Sequence, residues 1–205
     1  MYLFPYTIVG TGVLDGPSIP EAVIAVVFHL LLWYINHEVI AMTGWFDRKN
    51  MRLSGYNYNS PGTYFLTICV KNRKCLLSRI DESNILEGPI LELLPYGKIA
   101  AGYINQLHDF YDNISVESYV VMPNHIHIML SVLGANTMDS TIQNSVVSRF
   151  VSTWKRFCNR EYGQNIWQPR FYDHIIRNQE DFERHMKYIC ENPFSWHKDE
   201  FYSKE

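Results

Sequence analysis

The chain has 205 residues with 47% hydrophobic and 19% charged content, enough for one globular domain with a sizeable core and too short for two full ones. A formal net charge of −3 argues against binding nucleic acid through bulk positive charge, and four cysteines without a C-x-x-C spacing fit free thiols better than a disulfide scaffold. The 14 Tyr and 5 Trp suit either base stacking or a tightly packed sheet, and composition does not choose between them.

Residues 1–45 differ from the rest. They contain Asp15, Glu21 and Glu38 but no Lys or Arg, and Ala22 to Ile35 is nearly unbroken apolar sequence. That run is shorter than the roughly 20 residues needed to span a bilayer, and it lacks the basic start of a secretory signal. A buried helix, a marginal membrane anchor and translated upstream sequence outside the working domain all remain open. The last is the favoured expectation, with Met42 or Met51 as alternative starts, so that the working domain covers 46–205.

From Arg48 onward the pattern is that of a folded domain. Thr63 to Val70 has the β-forming residues and the length of a strand, introduced by the turn signal Ser60-Pro61-Gly62. Asp81 to Pro95 reads as irregular, with Gly88-Pro89 a turn and Pro95 a helix start. Ile99, Ala100, Tyr103, Ile104, Leu107 and Tyr111 mark an amphipathic helix over 96–111 that should cover one face of a sheet. Val116 to Met122 is a second strand, and Met122-Pro123-Asn124 a tight turn into its antiparallel partner, His125 to Val132. A helix from about Gln143 to Tyr162 follows, closed by Gly163, with Arg149, Lys155, Arg156 and Arg160 opposite its apolar stripe. Phe171, Ile175 and Ile176 suggest a further strand within 166–177.

In His125 to Val132, Ile126, Ile128, Leu130 and Val132 alternate with His125, His127, Met129 and Ser131. Strict alternation makes one strand face apolar and gives the other two imidazoles, roughly 6.5–7 Å apart, a span over which both can converge on one ion. The same pair could simply be the polar side of a sheet.

The last helix should start near Gln179, with Asn178 as its N-cap and Asp181 three residues on. Phe182, Met186, Ile189 and Cys190 form its docking stripe, and Asp181, His185, Tyr188 and Asn192 lie on an adjacent one, which puts Tyr188 at the edge of the buried face. Tyr188 and Asn192 meet one turn apart, and Pro193 should end the helix at Asn192.

Together these pieces resemble a known family. His125-Ile126-His127, within Tyr119-Val120-Val121-Met122-Pro123-Asn124-His125-Ile126-His127, resembles the HUH signature of single-tyrosine, single-strand DNA transposases. The entry segment Arg48–Leu53, the stretch Trp167–Asn178 and the motif Tyr188-Ile189-Cys190-Glu191-Asn192-Pro193 resemble the branch called REP-associated tyrosine transposases. The likeness covers about residues 46–197.

The resemblance implies an α+β fold, a ferredoxin-like antiparallel sheet packed with helices, acting as a homodimer on single-stranded or hairpin DNA with Mg²⁺ or Mn²⁺. It makes His125 and His127 metal ligands, Tyr188 the nucleophile of a 5′-phosphotyrosine intermediate, and Asn192 the third ligand. His174, inside a matching motif, and His185 are candidates for supporting roles. Arg48, Lys49, Arg52, Arg149, Lys155, Arg156 and Arg170 are candidate phosphate contacts, and Tyr56 a candidate base-stacking ring. A cytoplasmic, nucleoid-associated protein without stable membrane attachment is expected. Two other readings stay open: a hairpin-binding regulator that no longer transposes, and a replication-initiator nuclease with the same site. The lack of a G-x-x-x-x-G-K-[ST] phosphate loop weighs mildly against the second.

Overall fold

The computed structural model of the protein describes residues 53, 55–81, 89–107, 111–134 and 145–203, all within one compact unit spanning 50–205. The expectations for residues 1–45 and for Arg48, Lys49 and Arg52 lie outside the described residues. The elements in order are β1 (Gly62–Cys69), β2 (Ser78–Asp81), β3 (Ile90–Leu93), α1 (Pro95–Leu107), β4 (Ile114–Val121), β5 (His125–Val132), α2 (Val146–Tyr162), β6 (Tyr172–Ile175) and α3 (Gln179–Glu191).

The main sheet has the order β4-β5-β1-β6 with every pair antiparallel. Setting aside the small β2–β3 pair, the chain runs β-α-β-β-α-β, and the fourth, first, third and second strands lie side by side. That is the ferredoxin-like arrangement, as expected. Cα register places Thr67 opposite His127, Leu66 opposite Ile128 and Phe65 opposite His174.

Alternation along these strands divides the sheet into two unlike faces. Tyr64, Leu66, Ile68, Ile126, Ile128 and Leu130 join the apolar core beneath α1 and α2, with Trp154, Phe150 and Val147. Trp154 donates its indole N–H to the Ala100 carbonyl at 3.1 Å, tying α2 to α1. The opposite face presents Phe65, Thr67, His125, His127 and His174 to α3. A sheet with helices on both faces leaves no wet side, so its polar residues are buried with the apolar ones.

Local chemistry sets the element ends. Ser145 caps α2 by accepting from the Ser148 N–H, and Asn178 caps α3 by accepting from the Asp181 N–H at 2.8 Å, as the sequence predicts. Gly163 ends α2 at φ +70°, a left-handed turn that favours glycine. Gly97 has another reason: a Cβ there would lie 1.9 Å from the Leu77 carbonyl oxygen, so α1 approaches that backbone too closely for any side chain.

Four expectations need correcting. The 81–95 stretch is not wholly irregular: Ile90–Leu93 pairs with Ser78–Asp81, an alternation too short to be recognised in the sequence. Helix α1 is described over Pro95–Leu107 and Tyr111 itself is not helical; its ring packs edge-on against Phe150. The α-helix does end at the C-cap Asn192 before Pro193, yet Asn192 is not pushed out of the α region: it keeps φ −56°, ψ −43° with its N–H bonded to the Tyr188 carbonyl, and the chain continues as a 3-10 turn over Asn192–Lys198. Finally, α3 docks through its polar stripe. Asp181, His185, Ile189 and Asn192 are buried, whereas Cys190 is exposed and Phe182 and Met186 are half-buried. The helix faces histidines rather than aliphatic side chains, and the residues that hydrogen-bond to that surface turn inward.

The four cysteines carry free thiols. Among the described residues, no helix is long and apolar enough to cross a membrane.

Candidate metal and tyrosine site

β5 delivers His125 and His127 to the α3 face, and both are essentially fully buried, at 0% and 1% exposure. Their Nε2 atoms face each other at 2.9 Å with the rings 71° apart. Neighbours assign the nitrogens. Asn124 uses its amide nitrogen on the Phe201 carbonyl at 2.7 Å, leaving Oδ1 to accept from His125 Nδ1 at 2.9 Å. His125 is therefore protonated on Nδ1 and bare on Nε2. His127 Nδ1 meets the Thr67 hydroxyl at 2.9 Å, a partner that can donate or accept. With Thr67 donating, His127 Nε2–H bonds to His125 Nε2; with Thr67 accepting, two bare Nε2 lone pairs converge, the arrangement a cation needs.

Burial, with a smaller contribution from Arg73, pushes His125 down to about 3. Burial and then the neighbouring His125 hold His127 well below the ordinary histidine range. Both imidazoles are thus neutral near pH 7, the state in which histidine binds metal.

α3 brings Tyr188 to the same place. Its ring stands edge-on to His127 with centroids 5.1 Å apart and edge-on to Phe65 at 5.9 Å, and Phe65 stacks on His127 at 4.9 Å. The phenol donates to Asp199 Oδ2 at 3.5 Å. Burial first, then the Asp199 carboxylate, raises the phenol above its ordinary value, so it stays protonated here. Asn192 is 3% exposed and donates Nδ2 to the same Asp199 oxygen at 3.0 Å, while its Oδ1 is buried without a hydrogen-bond partner. Asp199 Oδ2 in turn lies 3.9 Å from His125 Nε2. Four of the residues singled out in the sequence are brought together, linked by an aspartate that was not.

The donor set fits a divalent cation. Two neutral imidazole nitrogens and the Asp199 oxygen lie within 4.8 Å of one another, and nitrogen with carboxylate or amide oxygen suits Mn²⁺, Mg²⁺ or Zn²⁺.

His174 and His185 form a second group with Asp181, also within 4.8 Å. His174 Nε2 donates to Asp181 Oδ2 at 2.8 Å, and His185 Nδ1 donates to the Asp181 carbonyl at 2.6 Å with Oδ1 at 3.2 Å. These two rings stack nearly parallel, 18° apart at 4.7 Å, so their in-plane lone pairs run side by side rather than converge. The group acts as a hydrogen-bonded anchor between α3 and β6. Burial pushes His185 down to about 4, keeping it neutral, and its ring packs against Phe65 at 4.9 Å. Burial opposes ionisation of Asp181, but the bonds from His174 and the Arg177 N–H outweigh it and leave the carboxyl below its ordinary range.

The basic candidates separate by exposure. Arg149, Arg156 and Arg170 are exposed. Lys155 is tied down, donating to the Gln168 and Arg170 carbonyls at 2.7 and 3.0 Å, and burial lowers it to about 8. Tyr56 is half-buried, edge-on to Tyr58 at 5.1 Å and Tyr64 at 6.4 Å, a packing position.

Sequence reasoning passed over Asp199, Thr67 and the role of Asn124. Cross-strand register could have suggested Thr67, opposite His127. Nothing flags Asp199, which caps a short 3-10 turn with no apolar period to read.

No family model matches the chain. It is 29% identical over 176 residues to a Haemophilus influenzae protein without an assigned activity, covering 76% of this chain and 93% of that protein. It is 27% identical over 136 residues to an Escherichia coli REP-associated tyrosine transposase, covering 66% of this chain and 68% of the relative. A solved REP-associated tyrosine transposase bound to a REP hairpin aligns at 24% identity and a TM-score of 0.47, covering 69% of this chain and 73% of that one. Over about two thirds of its length the chain is thus similar in sequence to proteins named REP-associated tyrosine transposases.

Proposed function

We propose that the protein is a metal-dependent transposase or endonuclease that cleaves and rejoins single-stranded DNA next to hairpins. The observation that supports this most directly is the packing of the Tyr188 phenol edge-on to His127, with a hydrogen bond to the carboxylate that borders the imidazole pair. The relatives' transposase name agrees with it.

In this reading His125 and His127 hold the cation through Nε2, and the buried Oδ1 of Asn192 is available as an oxygen donor. A bound Mg²⁺ or Mn²⁺ supplies Lewis acidity toward a phosphate oxygen. Asn124 fixes the His125 tautomer, Thr67 serves either tautomer of His127, and α3 aims the phenol. Tyr188 Oη attacks the phosphorus and forms a 5′-phosphotyrosine as the bond to the 3′ oxygen breaks. The phenol proton leaves and the departing 3′ oxygen gains one, so the transesterification is balanced and its reversal needs no ATP. Exposed Arg149, Arg156 and Arg170 contact phosphates, and His174 and His185 steady α3 through Asp181. Working as a homodimer is part of the proposal, and light scattering of the purified chain tests it.

The deciding experiment incubates the protein with end-labelled hairpin-flanked single-stranded DNA and Mn²⁺. A covalent protein–DNA adduct is expected from the native chain and none from Tyr188→Phe. An adduct that persists in Tyr188→Phe would falsify the assignment, and hairpin binding without cleavage by the native chain would favour the regulator.

A further inference from the structure

Asp199 lies just past the 3-10 turn that follows α3, and its side chain is 2% exposed. Oδ1 accepts from the Phe201 N–H at 2.6 Å, whereas Oδ2 accepts from Asn192 Nδ2 at 3.0 Å and the Tyr188 phenol at 3.5 Å and lies 3.9 Å from His125 Nε2. Every one of these groups is neutral, and among the described residues no Lys or Arg pairs with this carboxylate. A buried carboxylate surrounded by neutral donors retains a large desolvation cost, which a cation removes. The donor atoms of His125 and His127 lie within 4.8 Å of the carboxylate and of each other, a spacing suited to sharing one cation.

We infer that Asp199 is a ligand of the divalent cation held by His125 and His127, supplying the negative charge that two imidazoles and an amide lack. This deepens the proposed function and rests on it. The Asn192 N–H₂ then has a second use, orienting the carboxylate from behind. Because one oxygen serves both phenol and cation, binding the cation weakens the hold of Asp199 on Tyr188, which couples loading of the site to release of the nucleophile.

The test is calorimetric titration of the metal-free full chain with Mn²⁺. Asp199→Asn keeps the size but removes the charge and swaps one acceptor oxygen for an amide N–H₂, and it is expected to weaken Mn²⁺ binding by at least about tenfold, with a cooperative metal-free melting transition showing that the chain still folds. Asp199→Ser, a smaller neutral replacement, guards against a folding defect specific to the first variant and is expected to show the same loss. Asp199→Glu, which retains the charge, should recover part of the affinity. If Asp199→Asn binds Mn²⁺ as tightly as the native chain while His125→Ala does not, the inference is overturned and the proposed function stands. If the native chain has no His125-dependent Mn²⁺ site, both fall.

Discussion

Thr67 and Asn124 determine what the histidine pair can do, because they decide which ring nitrogens are bare. Asn124 has no freedom, since its amide nitrogen is used on the Phe201 carbonyl. Thr67 can rotate its hydroxyl, so His127 can change tautomer when a cation arrives. Replacing Thr67 by Val removes that partner at nearly constant volume, and Mn²⁺ affinity should fall about tenfold by calorimetry with little change in fold. Protonation has a signature of its own at this scale. His185 sits at about 4 in the folded chain against an ordinary 6.5, so between those values the unfolded chain binds more protons than the folded one. Stability should therefore be full above pH 6.5 and decline as pH falls toward 4. His125, at about 3, extends the decline to lower pH. Melting temperature followed across that range should drop less steeply in His185→Phe, which keeps a ring against Phe65 but cannot take up a proton.

Helix α3 is where the expectation from periodicity and the structure part most usefully. The Phe182, Met186, Ile189, Cys190 stripe has the spacing of a docking face, yet Asp181, His185 and Asn192 go inward and Cys190 faces out. A hydrophobic stripe finds the core only when the surface beneath it is apolar, and here that surface carries His127, His174 and Thr67. The helix is fixed by its N-cap and by the His174–Asp181 bond instead. Asn178→Ala should cost about 1 kcal/mol of stability in denaturant unfolding. In α1, Gly97→Ala forces a methyl against the Leu77 carbonyl and should cost about 1–3 kcal/mol, with the melting temperature as the measure. The two losses should add, since the sites share no partner.

At the scale of the whole molecule, the β-α-β-β-α-β order sets β5 in the interior of the sheet and leaves α3 to cover the histidine face. We propose that 46–205 is the working domain. A chain beginning at Phe46 should then keep the circular dichroism spectrum and Mn²⁺ affinity of the full protein; loss of either would assign residues 1–45 to the fold. The sequence by itself determined the alternation that buries Ile126, Ile128 and Leu130 and turns His125 and His127 to the other side, the Asn178 cap, the Gly163 stop and the four-residue step from Tyr188 to Asn192. All of these are local consequences of a period of 2 or 3.6 residues or of one capping side chain. Tertiary structure alone decided that α3 would bury its polar stripe, that Lys155 would be spent on carbonyls, and that His174 and His185 would stack rather than converge. It alone also brought Asp199, 72 residues after His127 in the numbering, to a carboxylate position beside that pair. Such contacts depend on which surfaces meet when the sheet closes against its helices, and no periodicity within a single segment encodes that.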